Sequence, residues 1–80
     1  VKLEILTPEK SLFKGMVRSV TVPGKKGAFM VLNNHAPIIS TLSRGTILIT
    51  TQDFVEEEIS ILGGVVEVKH NTIIVLVDLK

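Results

Sequence analysis

Residues 65–78, VVEVKHNTIIVLVD, decide how the rest of the chain is read. Two runs of β-branched and aliphatic residues are separated only by His70-Asn71. In residues 65–69 alternation puts Val66 and Val68 on one face. A second run, residues 72–78, follows at once. Side chains on a strand switch faces at every residue, so such runs fit a sheet and not a helix. A two-residue gap is the length of a tight β-hairpin connection. Two strands joined by a turn at His70-Asn71 are therefore expected.

Working outward, the same residue types recur. Val, Ile and Thr make up 27 of the 80 residues. Their branched Cβ is stiff and fits a pleated surface better than a helix. No stretch of 12 residues carries a clean 3.6-residue stripe. Leu3 and Ile5 alternate with Lys2 and Glu4, and Thr7-Pro8-Glu9-Lys10 reads as a turn. A short strand over 11–14 is expected to stop near Gly15. The next, 16–22, has Val20 and Val22 on one face. After a turn over 23–27 comes an apolar strand, 28–32, broken by residues 33–37. Strands over 38–42 and 46–51 follow, then 55–62, with Val55, Ile59 and Ile61 on one side and Glu56, Glu58 and Ser60 on the other. Gly63-Gly64 reads as a break or bulge. Eight to ten short strands with turns every 5–10 residues describe an all-β, antiparallel sandwich or barrel. No linker or internal repeat divides the chain, so residues 1–80 are expected to form a single domain.

Composition closes several routes. A chain of this size buries only about 60–65% of its unfolded surface. It holds no cysteine, hence no disulfide framework and no thiolate zinc site. That absence suits a reducing compartment. The formal net charge is +1, without the basic excess that marks nucleic-acid binders. Three Phe and no Trp or Tyr make a poor base-stacking platform. No apolar run approaches the roughly 20 residues that cross a bilayer. The opening VKLEILTPEK is charged at alternate positions, unlike a signal peptide.

Catalytic constellations are missing from the spacing. The GKKG at 24–27 lacks the longer GxxxxGK spacing of a phosphate loop, and the AFMVL that follows reads as strand where a helix N-terminus is needed. His35 and His70 are the only imidazoles and lie far apart, whereas a metal centre needs three or four converging ligands. No GxSxG elbow occurs. Neither catalytic residues, a cofactor nor a metal is expected. Glu57 alternates onto the face of Val55 and Ile59, so it must lie near a sheet edge or find a partner. The Asn33-Asn34-His35-Ala36-Pro37 segment is more specific. Asn tolerates left-handed backbone, and Pro37 pushes Ala36 into an extended shape. His35 therefore stands at a tight corner. Holding that corner by a bond to backbone is its plain role, and docking a partner is its functional one.

Four pieces in order carry a resemblance. They are TPEKSLFKGMVRSVTVPGKKGAF (7–29), VLNNHAPIISTLSRGTILI (31–49), ISILGGVVEV (59–68) and NTIIVLVD (71–78). Together they resemble the N-terminal domain of the epsilon subunit of F-type ATP synthase (delta in mitochondrial naming), over nearly all of residues 1–80. The resemblance implies a flattened antiparallel β-sandwich of about ten strands in two sheets. It implies a non-catalytic rotor subunit of the central stalk, which links the gamma subunit to the membrane c-ring and helps couple proton flow to ATP synthesis. Such a subunit is a peripheral part of the synthase at the cytoplasmic face of the bacterial inner membrane. By the same resemblance His35, Ala36, Pro37, Ile38, Ile39 and Ser40 would face gamma, and Lys25, Lys26, Gly27 and Ala28 the c-ring.

Some positions depart from the family. Many members carry an acid where Ala28 stands, Gly where Met30 stands, and Pro or Gly at Asn33 and Asn34. The family usually continues into a C-terminal helical hairpin, while this sequence stops at Lys80. Neither hairpin-mediated inhibition nor an ATP site is expected in these residues. Alternation alone would fit a free-standing β-sandwich interaction module equally well. An oligonucleotide-binding barrel is disfavoured by the charge and the few aromatics.

Overall fold

The computed structural model describes residues 1–79. Eight strands run in chain order: β1 (Lys2–Leu6), β2 (Ser11–Val22), β3 (Phe29–Val31), β4 (Ile38–Leu42), β5 (Gly45–Thr51), β6 (Glu56–Ile61), β7 (Gly63–Lys69) and β8 (Thr72–Asp78). Their hydrogen-bonded order is β4-β7-β8-β1-β2-β5-β6, with β3 also on β2. Every pairing is antiparallel except β1 with β8.

The long β2 organises this arrangement. Its first half pairs with β1, from Ser11↔Leu6 to Met16↔Lys2. Its second half pairs with β5 on one side and β3 on the other. One strand thus belongs to two layers, β4-β7-β8-β1-β2 and β3-β2-β5-β6, and turns the corner between them. The ladder slips between Val17 and Ser19, at Arg18, where the strand leaves one layer for the other. The expected stop near Gly15 does not occur. Gly15 pairs with Leu3, and the neighbours on either half carry the strand straight through. That fusion joins two of the expected strands, so the described residues form eight strands, within the expected eight to ten, and the 28–32 run shortens to three residues.

The core follows the alternation. Leu3 and Ile5 of β1, Val17, Val20 and Val22 of β2, Ile47 and Ile49 of β5, Val66 and Val68 of β7, and Ile73 and Val75 of β8 are all buried. No polar or charged side chain is buried among the described residues. Each of these aliphatic side chains contributes about 1.5–3 kcal/mol on leaving water. A domain without disulfides depends on that sum.

The turns carry the chemistry their residues foretell. His70 and Asn71 both have positive φ, 51° and 55°, as a type I′ hairpin requires, and Lys69 pairs with Thr72 across them. The hydroxyl of Thr7 accepts from the amides of Glu9 (3.3 Å) and Lys10 (3.1 Å), closing the first turn. Between β6 and β7 the break falls at Leu62. The glycines pair in register with Asp78 and Val77, so no bulge forms. Glycine is needed at position 64, because a Cβ there would collide with the carbonyl oxygen of Leu76. The triple glutamate of β6 lies on an edge strand. Glu57 shares a face with Ile59 and Ile61 yet stays exposed, as edge placement allows.

Candidate partner-binding surfaces

The turn after β2 is a β-hairpin connection with charged tips. The Gly27 amide donates to the Gly24 carbonyl at 2.9 Å, and Val22 pairs with Phe29 beyond it. Gly24 is fixed by crowding, since a Cβ would lie 2.6 Å from the Gly27 carbonyl oxygen. Lys25, Lys26, Gly27 and Ala28 are all exposed. The backbone of this turn is also sewn to the end of β4. Gly24 bridges Leu42, the Lys25 amide donates to the Thr41 carbonyl (2.9 Å), and the Ser43 amide donates to the Pro23 carbonyl (2.7 Å).

One consequence escapes the sequence. Residues 25–27 and 38–40, assigned there to two different partners, line a single groove of about 500 Å³ with Phe29 in its wall. Ala28 is not part of that lining. His35, Ala36 and Pro37 also lie outside it.

The His35 corner is held from within. The half-buried ring donates from Nδ1 to the Ala36 carbonyl at 2.7 Å, which fixes the proton on that nitrogen. Asn34 has φ 61°. Its amide donates to Oδ1 of Asn71 (2.7 Å), while Nδ2 of Asn71 donates to Oδ1 of Asn33 (2.9 Å). The corner is therefore clasped to the β7–β8 turn by one side chain, and Ala36 and Pro37 remain exposed on it.

Two apolar surfaces went unread in the sequence. On the outer face of the first layer, the register aligns Thr41, Val65, Leu76 and Leu6 in one row across four strands. Ile39, 72% exposed, and Leu76, 52% exposed, flank a shallow depression there. The signal was available, because IIVLV at 73–77 is apolar on both faces and a strand with one wet face should alternate. At the other end, the Arg18 guanidinium lies 4.1 Å from the ring centroid of Phe54. Phe54 is 69% exposed and has φ 63°, rare for an aromatic residue. Met16 and Leu32 line the adjoining depression of about 580 Å³. Exposed apolar patches of this kind mark contact surfaces.

Among the described residues no group of three or more His, Asp or Glu side chains is placed to hold a metal ion. The features of this surface are apolar area, two lysines and shaped backbone, which suit contact with another macromolecule.

Comparison with known proteins bears on which one. Residues 1–79 match the family described as the beta-sandwich domain of the ATP synthase delta/epsilon chain. The ATP synthase epsilon chain of Leptospira borgpetersenii serovar Hardjo-bovis (strain JB197) is 42% identical over 78 residues, covering 98% of this chain and 61% of that one. The epsilon chain of Chlorobium limicola is 39% identical over 77 residues, covering 96% and 88%. This chain thus spans under two thirds of the Leptospira relative. Among solved structures, a chain of the Euglena gracilis mitochondrial ATP synthase (OSCP/F1/c-ring) superposes with a TM-score of 0.88 at 18% identity. It covers 94% of this chain and 48% of that one, a likeness of fold.

Proposed function

This chain belongs to the ATP synthase delta/epsilon β-sandwich family, and from that premise we propose that it is a non-catalytic rotor element of the central stalk. In this reading it links the gamma subunit to the membrane c-ring, so that proton-driven rotation reaches the catalytic sites. It would work as a peripheral part of the synthase at the cytoplasmic face of a bacterial inner membrane. The family match across residues 1–79 carries the reading. The surface supports it, with exposed apolar side chains at Ile39, Val65 and Leu76 and cationic tips at Lys25 and Lys26.

The region from His35 to Ser40 would face gamma. The turn from Lys25 to Ala28 would face the ring loops; many relatives carry an acid where Ala28 stands, and this turn offers Lys25 and Lys26 instead. The groove shared by residues 25–27 and 38–40 fits a subunit gripped by two neighbours at adjoining positions. Co-expression with the gamma subunit of the same synthase tests this. A stable one-to-one complex on size exclusion is expected, and separate elution of the two chains would overturn the reading. Reversing both lysines to Glu should weaken attachment to the ring while stability stays within about 0.5 kcal/mol, since a turn tip adds little to the core.

A further inference from the structure

We propose that the open edge of β4 is a strand-addition site for an extended segment of another polypeptide whose side chains alternate between apolar and acidic. The inference deepens the reading of this groove as a partner surface. It does not depend on which complex the chain joins.

The two ends of the strand order are protected unequally. An edge strand exposes a row of backbone donors and acceptors, and proteins normally guard it with charge, bulges or cover. At one end, β6 carries Glu56, Glu57 and Glu58, all exposed. At the other, β4 reads IISTL, with no charged side chain in its length. The strand itself carries no charge, and the turn at 23–25 covers only its C-terminal end, so the remaining edge is suited to be covered by something else.

The backbone shows where cover is available. Thr41 gives its carbonyl to Lys25 on the side away from β7. Backbone groups alternate sides along an antiparallel strand, so Ile39 also turns its amide and carbonyl to that side. The turn covers the edge from Thr41 to Ser43 and then peels away after Lys25, where Gly27 bonds back to Gly24. The edge at Ile39 and the amide of Thr41 are left facing the groove. A segment lying there would continue the line of pairing that residues 23–25 begin. Strand addition of this kind takes affinity from main-chain bonds and specificity from side-chain pockets.

Charge names the occupant. The groove is lined by Lys25 and Lys26 and by no acidic residue, and Phe29 and Ile38 form its apolar wall. An added strand would set apolar side chains on Phe29 and Ile38 and acidic ones at the lysines. A second copy of this chain paired through β4 would bring four lysines together and is disfavoured by that repulsion.

The test uses the isotope-labelled chain and a capped hexapeptide alternating Val and Glu. On titration, the amides of Ile39 and Thr41 should shift and their hydrogen exchange should slow at least tenfold. Reversing Lys25 and Lys26 to Glu should weaken binding about tenfold, and a peptide alternating Val and Lys should then bind in its place. Methylating the peptide's edge-facing amides, which leaves the protein untouched, should abolish binding. Several outcomes would overturn the proposal. These are no binding at millimolar peptide, equal binding of the N-methylated peptide, shifts confined to Val65 and Leu76, or peptide-free self-association through the same amides. The gamma co-expression experiment reads separately, so either result can fail while the other stands.

Discussion

Asn71 occupies a left-handed position in the hairpin turn and uses its side chain to fasten a second loop. Substitution to Ala should remove both effects and cost about 2 kcal/mol, from two lost hydrogen bonds and a residue poorly suited to positive φ. Asn71→Gly restores the backbone freedom and loses only the clasp, so its cost should be about half. Urea denaturation of the two variants separates the contributions. Phe54 calls for the same comparison. Phe54→Ala keeps the strained φ of 63° and forfeits the contact with Arg18. Phe54→Gly forfeits the contact but relieves the strain, so it should be more stable than the Ala variant by about 1 kcal/mol. Thermal melting of both variants gives the order. At this scale the sequence was partly legible. The two-residue gap at His70-Asn71 announced its turn, and Asn34 its left-handed corner. That Asn71 reaches Asn33 and Asn34 was not legible, because a contact across 37 or 38 positions depends on how the strands are ordered.

At the scale of elements, the contrast between β4 and β6 makes a prediction about solubility. Replacing Glu57 of β6 by Val removes an edge charge from a face that already carries Ile59 and Ile61. Folding stability should change by no more than about 0.5 kcal/mol. Light scattering at raised protein concentration should nevertheless increase, because the unguarded edge can pair with another chain. Strand identity was legible where polar and apolar residues alternate, as along Lys2–Ile5 of β1 and Val66–Lys69 of β7. It failed at β2. A glycine is a local sign of interruption, whereas the continuity of β2 is imposed by β1 on its first half and by β3 and β5 on its second. It also understated β8, whose outer face carries Ile74 and the exposed Leu76 and so is apolar outside the core.

At the scale of the molecule, stability rests on a thin aliphatic interior. Ile5 lies on β1, flanked by β2 and β8, and is fully buried. Ile5→Ala should cost about 2–5 kcal/mol. Against the 5–15 kcal/mol typical of a whole domain, that loss should move a large part of the chain toward the unfolded state near room temperature. Circular dichroism during urea titration would measure it. That residues 25–27 and 38–40 would line one groove was not legible in the sequence. Their convergence arises from three backbone contacts between a turn and a strand end that lie nearly 20 positions apart.

The parallel pairing of β1 with β8 has a consequence in time. A ribosome releases β1 first and β8 last of the eight strands, yet they are neighbours in the finished sheet. Until β8 emerges, β7 and β1 have no partner between them and the first layer cannot close. The hairpins β2–β3 and β5–β6 can form early, but the layer that holds Leu3 and Ile5 must wait. Pairing between such distant segments carries a loop-closure cost that slows folding, toward about milliseconds to seconds for β-rich domains. Until β8 has emerged, the apolar side chains of β1 therefore have no closed layer in which to be buried. Lys2 and Glu4, interleaved with Leu3 and Ile5, keep that waiting strand charged along its other face.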